Sequence, residues 1–481
     1  MALRAGACRR YQQVAQAVWP HVHPAVTGQP TWLTHPELLA EGELAPGLSG
    51  AEFSDRRARL ARLLPPGGVA VVPGSAKTYR TGAIPYPYRQ DADFLYLTGI
   101  TQQAVAVISA PSTPGEARYT LFVPKGSLER ERWDGASLNC EAAVGVFGAD
   151  EAYPVSELET RLGALLAGST CVVYDSDADR SSPAWQAAAL RAALQLALGQ
   201  LPEERVQPLR HYLHPLRWVK SAAELALLRK SAAISAAAMA RCLRLTREGV
   251  SESVLAATFE YECRVRGAQH MAYPQVVGSG LDACTIHYSR NDKMAQDGDL
   301  LLMDAGNEYY GYCSDVTRTW PVSGAFSPQQ RDVYEVVRDT HRQCVAACQP
   351  GATLRQIHQL SVRLLCDGLA QLRVFPGLSP DTLAGGAYQT VYPHSVGHWL
   401  GLDTHDTAAV GYDRPLRPGV TLTVEPGLYL PPDSIRFGRF AGIGVRIEDD
   451  VVVSQAGPEV LSASVPADAE EVERLVGAAI L

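Results

Sequence analysis

At 481 residues the chain exceeds what one ordinary hydrophobic core supports, so two domains are expected. Its 46% apolar and 20% charged residues describe a soluble globular protein, and a formal charge of −8 argues against a nucleic-acid partner, which needs clustered Lys and Arg. No run of about 18 apolar residues occurs, so no membrane partner is expected. The first 36 residues carry Arg4, Arg9 and Arg10 but no acid, where 51 acids in 481 residues would put about four. Residues 1–36 therefore read as an Arg-bearing, Ala-rich transit peptide, which places the protein in the mitochondrial matrix and leaves a cytoplasmic form open. The ten cysteines are scattered without a CxxC pair and read as small buried residues of a reducing compartment.

Residues 37–205 read as an α/β domain. A helix over 50–64 is stopped by Pro65-Pro66-Gly67-Gly68, and short strands are expected at 69–72, 94–97, 104–109, 119–123 and 171–174. The Ala/Leu-rich stretch 184–201 reads as a further helix. Three prolines among charges over 202–216 suggest a linker, set at 206–219. Ser221-Ala-Ala-Glu224 is a capping box that opens the second domain, 220–481. Helices over 221–246 and 251–266 precede strands at 284–289, 299–304 and 309–319. Helices over 328–348 and 353–372 then precede strands near 420–426 and 443–453, so an α-α-β-β order occurs twice. Such repetition predicts an α+β domain with internal pseudo-twofold duplication, in which inner strands of both halves face one site.

The acids of those strands carry the chemistry. Asp304 ends the apolar run of DLLLMDAG, and Asp315 follows in YYGYCSDVTRTW. With a hairpin tip at Tyr309–Tyr310 the two lie directly opposite, their Cβ atoms about 4.5–5.5 Å apart. Carboxylates that close repel unless one is protonated or a cation lies between them. Glu425 in VTLTVEPG and Glu448 in GIGVRIEDDVVV repeat the pattern in the second half, with His394, His398 and His405 between the halves. Four acids carry −4, which two dications cancel. An oxygen-rich set with one imidazole suits Mn2+, Co2+ or Fe2+ better than tetrahedral zinc, and a pair of such ions activates water at neutral pH. Asp449 and Asp450 read as solvated charges at a strand end, and His21, His23, His211, His214, His341 and His358 as structural or surface residues.

As an ordered set, YPYRQDADFLYLTG, TIHYSRND, MDAG, SDVTRTWPVSG, HSVGHWLGLDTHD, VEPGLY and GVRIEDDVVV resemble the aminopeptidase P branch of the pita-bread metallopeptidases. The resemblance covers nearly everything after the leader. It implies a creatinase-like α/β N-terminal domain joined to a pita-bread catalytic domain, and a metal-dependent aminopeptidase acting on peptides with penultimate proline. Asp304 is then expected to bind one cation, His398 and Glu425 the other, and Asp315 and Glu448 both, with Mn2+ favoured. His287 and His405 are expected at the substrate backbone, His394, Tyr429 and Arg446 around the proline ring, and Tyr273 as a further substrate contact. Arg446 reads equally as the partner of a ligating carboxylate. Thr404 stands where the family often has valine. The resemblance also suggests a homodimer, with Trp133 near the partner's site. A prolidase, which cleaves Xaa-Pro dipeptides, and a metal-free binding module of the same fold are the alternatives.

Overall fold

The computed structural model describes residues 27–113, 115–126, 128–175 and 202–478, together with 196, 198 and 199. Residues 1–26 and most of the helix expected over 184–201 lie outside the described residues. The chain forms two compact units that divide between Arg217 and Trp218.

The first unit is built on a six-stranded mixed sheet. Its elements are α1 (Gly50–Leu63), β1 (Val69–Pro73), α2 (Ala92–Thr98), β2 (Val105–Ser109), β3 (Arg118–Val123), β4 (Glu151–Pro154), α3 (Leu158–Ala167), β5 (Val172–Val173) and β6 (Val206–Gln207). The strand order is β6-β5-β1-β2-β3-β4, antiparallel only at β1–β2 and β2–β3. The continuous apolar runs of β1 and β2 are buried, with Val71 and Val107 packed against Leu158 and Leu162 of α3, as expected of strands covered on both faces.

Three expectations for this region fail. Residues 94–97 are not a strand but the middle of α2, because Asp91 accepts from the Phe94 N–H at 2.9 Å and Gly99, at φ 67°, ends the helix in the left-handed region. The segment 206–219 is no open linker; it holds β6 and the helix α4 (Arg210–Trp218), whose Leu213 and Trp218 are buried. Residues 27–36 do not belong to a loose leader. The Gln29 side chain donates to the Gly99 carbonyl at 2.9 Å and accepts from the Thr101 N–H at 2.7 Å, with Thr27 and Thr31 buried.

The second unit repeats one order of elements. Helices α5 (Ala222–Leu245) and α6 (Glu252–Val265) precede β7 (Val276–Ser279), β8 (Leu300–Ala305), β9 (Asn307–Tyr309), β10 (Tyr312–Cys313) and β11 (Val316–Pro321). Helices α7 (Pro328–Ala346) and α8 (Leu354–Gln371) precede β12 (Thr421–Val424), β13 (Gly427–Leu430), β14 (Ile443–Arg446), β15 (Asp449–Ser454) and β16 (Gly457–Val460). The capping box forms as expected: Ser221 and Glu224 exchange hydrogen bonds at 2.9 and 3.3 Å. In the first half β7-β8-β11 form an antiparallel sheet whose Val277, Leu301 and Met303 pack with Met239 and Phe259 of the helices. In the second, β12-β15-β16 and the pair β13-β14 pack on α7 and α8. The strand expected over 284–289 is absent, since a 3-10 turn over Gly280–Cys284 runs into a tight turn at Ile286–His287.

The hairpin turn falls one residue later than expected. Tyr309 pairs with Tyr312, leaving Tyr310 (φ 49°) and Gly311 (φ 86°) in the left-handed positions of a tight two-residue turn. Asp304 consequently pairs with Thr317, not Asp315. The register moves by two residues, which preserves the face, so Asp304 and Asp315 remain diagonal neighbours on one side of the ladder.

Candidate active site

The ladders break at three of the four acids. Asp315 lies between β10 and β11, Glu425 between β12 and β13, and Glu448 between β14 and β15, while Asp304 stays within β8. Each interrupted residue sends its N–H elsewhere: Asp315 to the Asp450 carboxylate at 3.1 Å, Glu425 to the Val396 carbonyl at 2.7 Å, and Glu448 to the Thr317 carbonyl at 3.0 Å. Two glycines of the motifs make these crossings possible. A Cβ on Gly306 would come 1.8 Å from the Ser314 carbonyl oxygen, and one on Gly397, beside His398, 2.0 Å from that of Thr423.

Three of the five expected metal-binding side chains meet directly, and Glu425 and Asp304 stand beside them. Asp315, His398 and Glu448 each bring a donor atom into a cluster spanning no more than 4.8 Å. The His398 Nε2 lies 3.4 Å from Asp315 Oδ2 and 3.6 Å from Glu425 Oε1. Its Nδ1 is 3.2 Å from the Trp399 carbonyl, which can only accept, so Nδ1 carries a proton and Nε2 is the nitrogen turned to the acids. The Tyr273 hydroxyl, 2.6 Å from Asp304 Oδ1, also reaches Asp315 Oδ1. One phenolic proton cannot serve both carboxylates, so the second contact calls for another proton or a cation between them.

The electrostatics carry the same message. Burial pushes Glu425 up to about 7, and burial with the charge of Asp315 holds Glu448 well above the carboxylate range. Burial also raises Asp304, against the pull of Arg446. Of the four, only Asp315 is lowered: burial, the largest influence, opposes it, but the hydrogen bond and charge of His398 with the Tyr273 hydroxyl and His405 together prevail. His398 rises to about 9, its burial being overcome by Asp315 and Glu425. Crowded carboxylates held in the protonated range are what divalent cations relieve, and four carboxylates with one imidazole fit a hard or borderline dication.

Around this cluster the expected substrate residues separate into two groups. Arg446, Tyr429 and His394 form a hydrogen-bonded row: Arg446 Nη1 to Tyr429 Oη at 2.7 Å, and Tyr429 Oη to His394 Nε2 at 2.8 Å. The row has a forced direction. Arg446 only donates, so Tyr429 donates onward, His394 accepts at Nε2, and its Nδ1 proton goes to the Ser395 carbonyl at 2.8 Å. Burial, with Arg446 nearby, drops His394 to about 3 and keeps it neutral. His287 and His405 are exposed instead; the His405 ring lies 4.3 Å from that of His398, and His287 acts electrostatically on both His394 and His405.

Asp449 and Asp450 are not solvated. They are 4% and 1% exposed: Asp449 pairs with Arg318 at 2.7 Å, and Asp450 receives the Asp315 N–H. Thr317 went unnoticed in the sequence although it lies two residues from Asp315, on the same face. Its hydroxyl donates to Glu448 Oε2 at 2.6 Å and accepts from Arg446 Nε at 3.2 Å.

Residues 226–455 match the model of metallopeptidase family M24, and residues 53–174 that of the aminopeptidase P N-terminal domain. The chain is 42% identical to the mitochondrial intermediate cleaving peptidase 55 of Arabidopsis thaliana, over 93% of this chain and 87% of the relative. The chain belongs to family M24, in its aminopeptidase P branch. Xaa-Pro aminopeptidase 3 of Homo sapiens is another M24 relative, 36% identical over 93% of this chain and 90% of its own. Among solved structures, proline aminopeptidase P II from Yersinia pestis superposes with a TM-score of 0.83 at 35% identity, over 89% of this chain and 99% of that one. The M24 assignment carries the pita-bread fold and a metal-dependent Xaa-Pro aminopeptidase activity with it.

Proposed function

We propose that this chain removes the N-terminal residue from peptides with proline second, favours tripeptides and longer substrates, and uses two divalent cations, Mn2+ before Zn2+. The observation that carries the reading is the meeting of Asp304, Asp315, His398, Glu425 and Glu448, drawn from both halves of the duplicated unit, in one cluster. Asp304 would be a ligand of one cation and His398 and Glu425 of the other, with Asp315 and Glu448 available to both. When bound, such cations would supply an activated water and polarise the scissile carbonyl.

The chain's own groups do the remainder. The acid-rich end at Asp304 and Asp315 receives the substrate's ammonium, so an internal peptide bond, which has no amine, is passed over. Glu425 takes a proton from the attacking water and returns it to the departing proline nitrogen. His287 and His405 donate towards the oxygen on which charge develops. His394, Tyr429 and Arg446 wall the proline ring, and Tyr273 holds the substrate end of the acid pair.

Length preference follows from Arg446. Its guanidinium already faces Asp304 at 2.6 Å and holds Tyr429 and Thr317, so it is not free to bind a product carboxylate. The deciding measurement is kcat/KM for Leu-Pro-Ala against Leu-Pro under identical Mn2+ conditions. Faster hydrolysis of the tripeptide is expected, with Ala or Ser in place of proline cleaved slowly. Faster hydrolysis of the dipeptide would move the assignment to prolidase.

The protein works in mitochondria, where the N-termini of imported proteins are among its substrates. The acid-free leader and the mitochondrial relative support this. Because Gln29 is bonded into the first unit, the removable segment ends before Thr27. Residues 1–36 should carry a fluorescent reporter into mitochondria, and a reporter that stays cytosolic would overturn the assignment. The chain acts as a homodimer, as the resemblance to the aminopeptidase P branch suggests, with the exposed Trp133 near the partner's site. Sedimentation of the purified protein as a monomer at micromolar concentration would refute it.

A further inference from the structure

His394 has a second environment. Together with His358, Tyr388, Tyr392, Ser395 and Tyr412 it lines a cavity of about 300 Å3. The walls form a continuous aromatic run: Tyr392 lies 4.9 Å from His394, 5.8 Å from His358 and 6.3 Å from Tyr388, ring centre to ring centre. The cavity carries little net charge. Arg355 at its edge is matched by Asp413 at 2.8 Å, and burial lowers His358 below the ordinary imidazole range. The His358 Nδ1 is buried without a hydrogen-bond partner in the structure. Apart from His394, which both share, the cation cluster and the proline wall use none of these aromatic residues.

We propose that this cavity receives the side chain of the substrate residue that follows the penultimate proline, and that it selects a large aromatic one. The inference rests on the Xaa-Pro reading above, which it extends by one position. Orientation comes from charge. The ammonium of a bound peptide is drawn to the Asp304–Asp315 end, and the peptide beyond the scissile bond passes the row Arg446–Tyr429–His394. His394 ends that row and begins the cavity, so the next residue meets it first. An uncharged pocket walled by rings favours an aromatic occupant through edge and offset ring contacts, and a Tyr or Trp occupant would also partner His358 Nδ1.

The test uses the full, Mn2+-loaded enzyme with Leu-Pro-Phe and Leu-Pro-Gly. The expected result is a kcat/KM for the Phe peptide about tenfold above the Gly peptide. In Tyr388→Ala, and separately in the more exposed Tyr412→Ala, the ratio is expected to fall below about threefold. Reading the ratio within each variant keeps the test independent of how much of that variant folds. Equal cleavage of the two peptides by the unaltered enzyme, or a ratio untouched in both variants, would overturn the pocket alone. Failure to cleave either tripeptide while Leu-Pro is hydrolysed would overturn the pocket and the Xaa-Pro reading together.

Discussion

Arg446 and Asp304 form a buried ion pair, Nη2 to Oδ2 at 2.6 Å, between strands contributed by opposite halves of the duplicated unit. The same guanidinium holds Tyr429 and Thr317, so its planar fork is used in three directions at once. A lysine keeps the charge but not the fork. Arg446→Lys is expected to lower kcat/KM about 10–100-fold while the protein still binds its cations. Steady-state kinetics with a metal count check this, and unaltered kinetics would show that the charge alone suffices.

Chelation should abolish activity, and Mn2+ should restore it better than Zn2+, because carboxylate oxygens dominate the donor set. Activity assays after exhaustive dialysis against chelator, with each metal added back, make the comparison. Full turnover in a metal-free sample would end the two-cation mechanism.

Asp315→Ala and Glu425→Ala should each reduce kcat by a factor of about a thousand or more, since each removes a proposed cation ligand and Glu425 is also the proton carrier. The fold should persist, because the packing of this unit rests on residues such as Met239, Leu301 and Trp320. Circular dichroism and metal analysis accompany the kinetics. Near-normal turnover in Asp315→Ala would reassign the shared ligand.

Stability of the chelated protein should fall with rising pH. Glu425 at about 7 lies above its unfolded value of about 4.3, and His398 at about 9 above its unfolded value of about 6.5. Groups raised by folding stabilise fully below the unfolded value and lose that contribution as pH climbs through the folded one. The decline should therefore run from about pH 4 to pH 9, and Mn2+ should cancel it, since binding expels those protons. Thermal unfolding scans with and without metal measure it; a chelated protein that grows more stable across this range would contradict the assignment.

The first unit shows the opposite sign. Asp93 is buried against Arg217 at 2.5 Å, and although burial opposes it, that charge holds the carboxyl well below its ordinary range. Its contribution is present above about pH 4 and lost as pH falls further. Asp93→Asn removes the carboxylate that faces the buried Arg217 and should cost about 3–5 kcal/mol near neutrality, a deficit that shrinks below pH 4. Denaturant titrations at two pH values would detect it, and a pH-independent deficit would speak against the pair.

Much of the catalytic unit was readable because apolar strands interrupted by acids leave a pattern few other arrangements produce. The four acids and His398 follow from that pattern, while the helix pairs are legible separately, the first of them from its Ser221–Glu224 capping box. Misplacing the turn at Tyr310–Gly311 did no harm to the site, since a shift of two residues in register leaves each side chain on its face. What escaped was burial decided by distant partners. Asp449 and Asp450 look like solvent charges until Arg318 and the Asp315 N–H, more than a hundred residues away, are brought to them. Helix α2 does carry its own signal, because Asp91 and Gly99 bracket the segment as cap residues.

Arg318 itself has a consequence for how this unit melts. Its N–H groups are all committed: to the Thr317 carbonyl on its own strand, and to Glu448, Asp449, Val465 and Pro466 in the other half. A duplicated domain could in principle come apart at its seam, one repeat opening while the other persists. Here opening the seam would strand a buried cation together with the carbonyls it satisfies, so neither repeat has a stable existence alone. Amide exchange in β11 and β15 should accordingly report a single opening event, and the ancestral repeat, expressed by itself, should not fold.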